Sequence, residues 1–197
     1  MGTEVPQCQP LVRLEAPVVT LAEAIRAANG ARDVESAFGH LTAATREVLG
    51  DKEAHLRPGG LKVGERQFTV SGIFLITPDR QHNLLVAEHE VPPEQHRLCI
   101  PLDLGHPGWV VQYQRSLILA NTDEAPDFRQ ILKTSRMGSA LFGPMCWRGQ
   151  LLGQLITAAQ ARNTYGSIDL DILMGFAHVA AAVYMAHGGP EWLQTLV

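Results

Sequence analysis

The chain lacks most of what marks a disulfide-stapled, nucleic-acid-binding or membrane-spanning protein. Its 197 residues hold three cysteines, Cys8, Cys99 and Cys146. The number is odd and no two stand in a Cys-x-x-Cys spacing, which argues against a disulfide framework and for a reducing, cytoplasmic setting. Charge of one sign is scarce: the formal net charge is −4, and charged residues make up 18% of the chain. A phosphate-backbone partner asks for clustered Lys and Arg. The basic stretches at 57–66 and 129–136 are diluted by neutral or acidic neighbours and read as solvated surface. No run approaches the roughly 18 consecutive apolar residues of a membrane span. Residues 1–17 lack the basic start and apolar run of a secretory leader. There is no Gly-x-Ser-x-Gly nucleophile elbow and no Gly-rich phosphate loop. The expectation is a cytoplasmic protein with neither a nucleic-acid nor a membrane partner.

What is present suits one packed domain with flanks. Hydrophobic residues make up 46% of the sequence, enough for a globular core and too many for whole-chain disorder. Three prolines at 6, 10 and 17 predict an irregular lead-in over 1–19. Thr20 with Glu23 has the form of a capping box, starting a helix that runs toward Asn29-Gly30. Val34, Phe38, Leu41 and Val48 recur at near-helical spacing and Gly50 closes that stretch. Segment 20–65 is thus a pair of helices and a linker. From Phe68 the composition turns β-branched. A strand to Thr77, a turn over 78–83 and a partner strand over 84–89 make a hairpin. An extended piece at 97–104, a short helix over 105–113 and a short strand over 116–121 follow, then a helical turn over 127–132. Strands over 139–148 and 150–161 meet at Arg148-Gly149, with Gly143 and Gly153 as candidate bulges. Ser167 caps the last helix, whose face carries Ile168, Ile172, Phe176, Val179 and Val183 as far as His187. Residues 189–197 form a tail. Hairpins with flanking helices make an α+β layer.

Four stretches together resemble the GAF family, over 66–188. Gly105-His-Pro-Gly-Trp-Val with Ser116-Leu-Ile-Leu-Ala-Asn is similar to that family's glycine-rich short helix and next strand. Asn121 to Arg129 is similar to its loop ending in Asp-Pro-Arg-Phe-like residues. Ser139 to Leu155 resembles its last hairpin, and Ile168 to Ala182 its closing helix. Order and spacing carry the likeness. It implies a profilin-like central antiparallel sheet of five or six strands. Terminal helices pack on one face and commonly dimerise, and small helices and loops enclose a pocket on the other. It also implies a sensory or regulatory domain that binds a small molecule and relays occupancy to a signalling partner, and on this reading the chain is not an enzyme. One alternative is a ligand-free dimerisation module of the same fold, with Trp109 and Phe142 turned inward onto each other. The other is a redox enzyme of the free methionine sulfoxide reductase type using Cys99.

Family position makes Cys99, Trp109, Tyr113, Phe128, Arg129 and Phe142 the candidate ligand-binding residues, with Arg136 a second cation for an anionic ligand. Each aromatic also has a plain reading as core. The Asn-Lys…Phe…Asp-Glu signature of cyclic-nucleotide-binding relatives cannot be placed. Cys99 is followed by Ile100 and Cys146 by Trp147, against the Cys-His expected for a bilin. Two of the three thiols expected of a reductase are missing, so Cys99 reads as a small buried hydrophobe. Eight histidines yield no second ligand pair beside His96-Arg-Leu-Cys99, and a zinc site needs three or four converging ligands. Glu88 and Glu90 share a strand face and read as a solvated edge. The ligand, and any cofactor, is unidentified at this level.

Overall fold

The computed structural model describes residues 12–134 and 136–197. Cys8 and the lead-in before Val12 lie outside them. Two helices open the described chain, α1 (Val12–Asn29) and α2 (Val34–Val48). A hairpin follows, β1 (Thr69–Ile76) with β2 (His82–His89), then β3 (Cys99–Pro101), α3 (Gly105–Tyr113) and β4 (Leu117–Leu119). A second hairpin, β5 (Ser139–Trp147) with β6 (Gln150–Ala159), leads to α4 (Ser167–Ala186) and α5 (Gly189–Gln194). The strands form one six-stranded sheet in the order β3-β2-β1-β6-β5-β4, with every neighbouring pair antiparallel. This is the α+β architecture expected from the sequence.

The sheet carries two unlike faces. On one, α1, α2 and α4 seat Ala28, Phe38, Leu41, Leu173, Phe176 and Ala180 against Ile73, Leu75, Leu141 and Leu155. At about 25 cal/mol per Å² of apolar surface removed from water, this is where burial drives folding. Polar groups on this side are paired: the Thr45 and Ser71 hydroxyls lie 2.8 Å apart, and Thr157 donates to the Val70 carbonyl at 3.1 Å. On the other face, α3 and the segment after β4 cover Val70, Phe74, Leu85, Ala140, Phe142, Ile156 and Ala158. With both faces covered, β1 is buried from Val70 to Ile76, the paired hydroxyl of Ser71 included.

By length and composition α4 qualifies as a helix able to cross a membrane. One face of it goes into this core, where Leu173, Phe176, Ala177, Ala180 and Ala181 are fully buried, while Ile168 is exposed.

Several local expectations are corrected. Helix α1 begins at Val12 and runs through Pro17, so 12–19 is not irregular and Thr20 is no cap. The helix continues past the hydrogen bond that an interior proline forfeits and seats Ala24 and Ala28 in the core. The cap of α4 is made by Asp169, which accepts from the amides of Gly166 and Gly50, each at 2.8 Å; Ser167 plays no such part. Residues 127–132 are an irregular loop, and the 3₁₀ turn of this region lies earlier, at Thr122–Glu124. The bulge in the second hairpin opens between Met145 and Cys146, where Leu152 is the extra residue on the partner strand, beside Gly153 and away from Gly143. Gly153 is required by crowding, since a Cβ there would stand 2.1 Å from the Phe74 carbonyl oxygen. The tail after Gly188 is helical over Gly189–Gln194. Its proline falls in the first turn, where no amide is missed.

A buried cation holds the long segment between α2 and β1 to the sheet. The Arg162 side chain is 2% exposed and pairs with both oxygens of Glu65 and, at 2.9 Å, with Asp123. Lys62 and Arg136 add to Asp123 at 2.7 and 3.2 Å. Lys62 and Arg162 hold the Asp123 carboxyl down at about 2.

Candidate functional site

The site lies on the α3 side of the sheet, and backbone crowding places it. Gly108 lets the second turn of α3 cross directly over residue 103: a Cβ there would meet the Asp103 carbonyl carbon at 2.3 Å. This presses the first turn of α3, with His106, down onto the strands. Beneath it the amide of Gln154, fully buried on β6, donates to the Pro107 carbonyl at 3.2 Å and toward Asn83 Oδ1 at 3.4 Å. The opposite wall is the loop after the Thr122–Glu124 turn. Gln130 pins it by donating to the Leu132 carbonyl at 2.9 Å and accepting from the Met137 amide at 3.1 Å. Gln95, from the other side, accepts from the Lys133 amide at 2.5 Å.

Two spaces result. An inner cavity of about 70 Å³ is lined by Phe74, His106, Phe128, Met137, Phe142 and Ile156. An outer cleft of about 960 Å³ runs along α3 past Asp103, Trp109, Gln112, Leu117 and Asp127. Small-molecule sites typically enclose about 300–1,000 Å³, so the inner space alone is too small and the outer one is ample. His106 and Arg129 line both. The His106 ring lies 6.1 Å from Phe142, near-parallel at 29°, and 5.9 Å from Phe128 at 35°. Both separations are within the range of attractive ring pairs. Its Nδ1 is buried without a hydrogen-bond partner, as is Gln154 Oε1. Burial pushes the His106 imidazole below its usual range, with Asp127 pulling the other way.

The candidates from the sequence sort into three groups. Phe128, Phe142 and Arg129 converge on the inner cavity. Trp109 lines the outer cleft and meets Tyr113 in a tilted ring contact, with centroids 4.9 Å apart; Tyr113 is 52% exposed. The ring against Phe142 is His106, so the Trp109–Phe142 pairing of the ligand-free alternative is replaced by two separate aromatic pairs. Cys99 is not part of the site. It pairs in register with Leu84, which belongs to the core under the helices, so its side chain stands on the opposite face of the sheet edge. Nor is it the buried hydrophobe expected: it is exposed, beside Asp79, Arg97 and the C-terminal Leu196 and Val197. Desolvation and Asp79 push its thiol up, the reverse of an activated thiolate. The Cys146 thiol is pushed up by burial. Arg136 is occupied: it pairs with Asp123, donates to the Thr122 carbonyl at 3.1 Å and covers the Phe128 ring at 5.0 Å. Arg129 has no ion-pair or hydrogen-bond partner among the described residues. Among the described residues no group of three or more His, Cys, Asp or Glu side chains converges as for a metal ion.

His106, Gln154 and Asn83 were missed as site residues. A histidine beside the proline of a helix start, and single amides on the inward faces of apolar strands, were the available signals.

Comparison with known proteins adds the following. The family model described as GAF domain matches residues 33–184. No curated protein matches the sequence. Among solved structures, the GAF domain of an Acinetobacter phosphoenolpyruvate-protein phosphotransferase is similar, with a TM-score of 0.71 at 16% identity, over 87% of this chain and 94% of that one. The corresponding GAF domain from Coxiella burnetii gives 0.69 at 18% identity, over 88% and 98%. A free methionine-R-sulfoxide reductase from Neisseria meningitidis, in complex with its substrate, gives 0.66 at 16% identity over 100% of both chains. Further reductases of that kind are among the matches. At such identities the likeness establishes the fold alone. It nonetheless corrects the expectation that the chain is not an enzyme. That expectation rested on missing cysteines, whereas several of the similar structures are enzymes and the fold serves catalysis as well as sensing.

Proposed function

The chain belongs to the GAF domain family, and on that premise we propose that it binds a small organic anion between the sheet and α3 and relays occupancy through its terminal helices. The observation that carries this reading is the meeting of two spaces at one free cation. Arg129 lines both the aromatic inner cavity and the outer cleft, and no described residue pairs with it. Apolar walls with a few convergent polar groups are what small-molecule sites are made of. All residues lining the inner cavity fall between 74 and 158, inside the span 33–184 that the family model matches. The first turn of α3 has no side-chain cap, leaving amides for an anion at the cleft.

The relay runs through packing shared by the two faces. Strands β5 and β6 contribute alternate residues to the cavity and to the core under α4, so a ligand that favours one strand arrangement biases the helices as well. Apolar side chains exposed on those helices, Val18 at 61%, Val19 at 56% and Ile168 at 50%, suit a homodimer or a signalling partner. Free Cys99 and Cys146 suit the cytoplasm.

A second reading, a ligand-free interaction module, is favoured by one observation: the inner cavity is already filled to about 70 Å³ by the chain's own rings. Calorimetric titration with a panel of aliphatic and aromatic carboxylates separates the two. On the ligand-binding reading at least one binds, and Arg129→Ala weakens it about tenfold through loss of a charge-assisted contact. Absence of binding by every member of the panel would support the ligand-free module.

A further inference from the structure

We infer that the His106 side chain is a removable plug occupying the ring position of the ligand, and that the ligand is therefore a planar aromatic or heteroaromatic carboxylate. The inference rests on the small-molecule reading above and assigns it a chemical class.

The His106 imidazole is the partition between the two spaces. It lines the inner cavity and the outer cleft, and it is the ring packed on both Phe128 and Phe142. A side-chain rotation of this one residue joins the small cavity to the large cleft and leaves two phenyl rings without their partner. What refills that position most favourably is another flat ring, because offset or tilted aromatic pairs gain energy beyond the area they bury. A ring seated there places its substituents toward Arg129, which borders the same opening. A carboxylate on the ring edge then meets the unpaired guanidinium.

Rotation of the plug gives up two ring contacts, which an incoming ring replaces, and no hydrogen bond. Its Nδ1 is buried and accepts or donates no hydrogen bond, so nothing polar holds the ring inward, and exposure to water satisfies an atom now orphaned. The backbone need not follow: Gly108 packs against residue 103 and the Pro107 carbonyl accepts from Gln154, so the turn carrying His106 is fixed while its side chain is free. Rotation also leaves the hydrogen bonds of Gln130 that hold the loop in place.

The test uses benzoate and its saturated counterpart cyclohexanecarboxylate, titrated into the full chain with histidine ring resonances followed by NMR. In the wild type, benzoate should move the His106 ring signals, and it should bind more tightly than cyclohexanecarboxylate. His106→Ala removes the plug and should bind benzoate about tenfold tighter, with a smaller gain for the saturated ring. His106→Phe plugs the position with a ring that has no orphaned atom to release, and should bind benzoate about tenfold more weakly. Equal affinities across the three proteins, or an unmoved His106 ring at saturation, would overturn the plug. Preference for the saturated ring, or no benzoate binding by any of them, would overturn the ligand class. Binding of aliphatic carboxylates lost in Arg129→Ala would leave the small-molecule reading standing in either case.

Discussion

The two faces of the sheet are built from the same strands and finished differently. Under the helices, large side chains such as Phe38, Ile73, Leu155 and Phe176 are fully buried, and the Thr45, Ser71 and Thr157 hydroxyls are paired. Under α3, ring packing is incomplete, a cavity of about 70 Å³ remains, and His106 Nδ1 and Gln154 Oε1 have no partner. Buried polar groups are nearly always hydrogen-bonded, so an orphan deserves a physical account. The difference teaches that α3 and its facing loop are tolerated as an imperfectly satisfied lid on a sheet stabilised from the other side.

The largest expected effect tests the side that holds the fold. Phe176→Ala removes a fully buried ring from the helix-side core. It should cost about 3–5 kcal/mol in chemical denaturation. A cost well below that would mean the two faces share stability evenly. Next in size is the strap over the sheet end. Glu65→Gln leaves the buried Arg162 guanidinium with Asp123 as its remaining carboxylate. A loss of about 1.5–2 kcal/mol is expected from the same measurement, since a charge-assisted contact is lost while Asp123 still faces the guanidinium. Phe128→Ala, on the other face, acts on a half-buried ring in a loop. It should cost about 1 kcal/mol of stability while weakening benzoate binding more strongly than Phe176→Ala does.

The smallest effect is a pH dependence. The His106 imidazole is held below its ordinary value by burial. A depressed folded-state pKa stabilises the fold above the unfolded value of about 6.5, and that contribution is lost as pH falls through the folded value. Stability measured from pH 7 to pH 5 should therefore fall more in the wild type than in His106→Ala. An equal fall in both would place the acid sensitivity elsewhere.

Much of this plan was legible from residue pattern. The β-branched run from Phe68, the paired strands around Arg148-Gly149 and the apolar stripe of α4 each reflect a local period that tertiary packing then used. What escaped depends on contacts between distant residues. Pro17 ends a helix by local rules, yet α1 continues through it and seats Ala24 and Ala28 in the core. Cys99 was assigned to the pocket by its place in the chain. Its pairing with Leu84 decides the face, and a one-residue parity sends the thiol to the other side. Arg129 and Arg136 looked alike as cations seven residues apart. Only the fold shows that Asp123 engages Arg136 and leaves Arg129 unpaired. His106 sat inside a recognised Gly-His-Pro-Gly helix start and was passed over, because its meaning comes from Phe128 and Phe142 across the cavity.

The central claim, that the α3 face is reserved for a small molecule, is tested most directly by native mass spectrometry. The wild type and Arg129→Ala would be incubated with the same extract of small metabolites. The account predicts a reproducible added mass on the 21.5 kDa wild-type chain that Arg129→Ala loses. A bare chain mass for the wild type in every extract, or an added mass retained equally by Arg129→Ala, would contradict it.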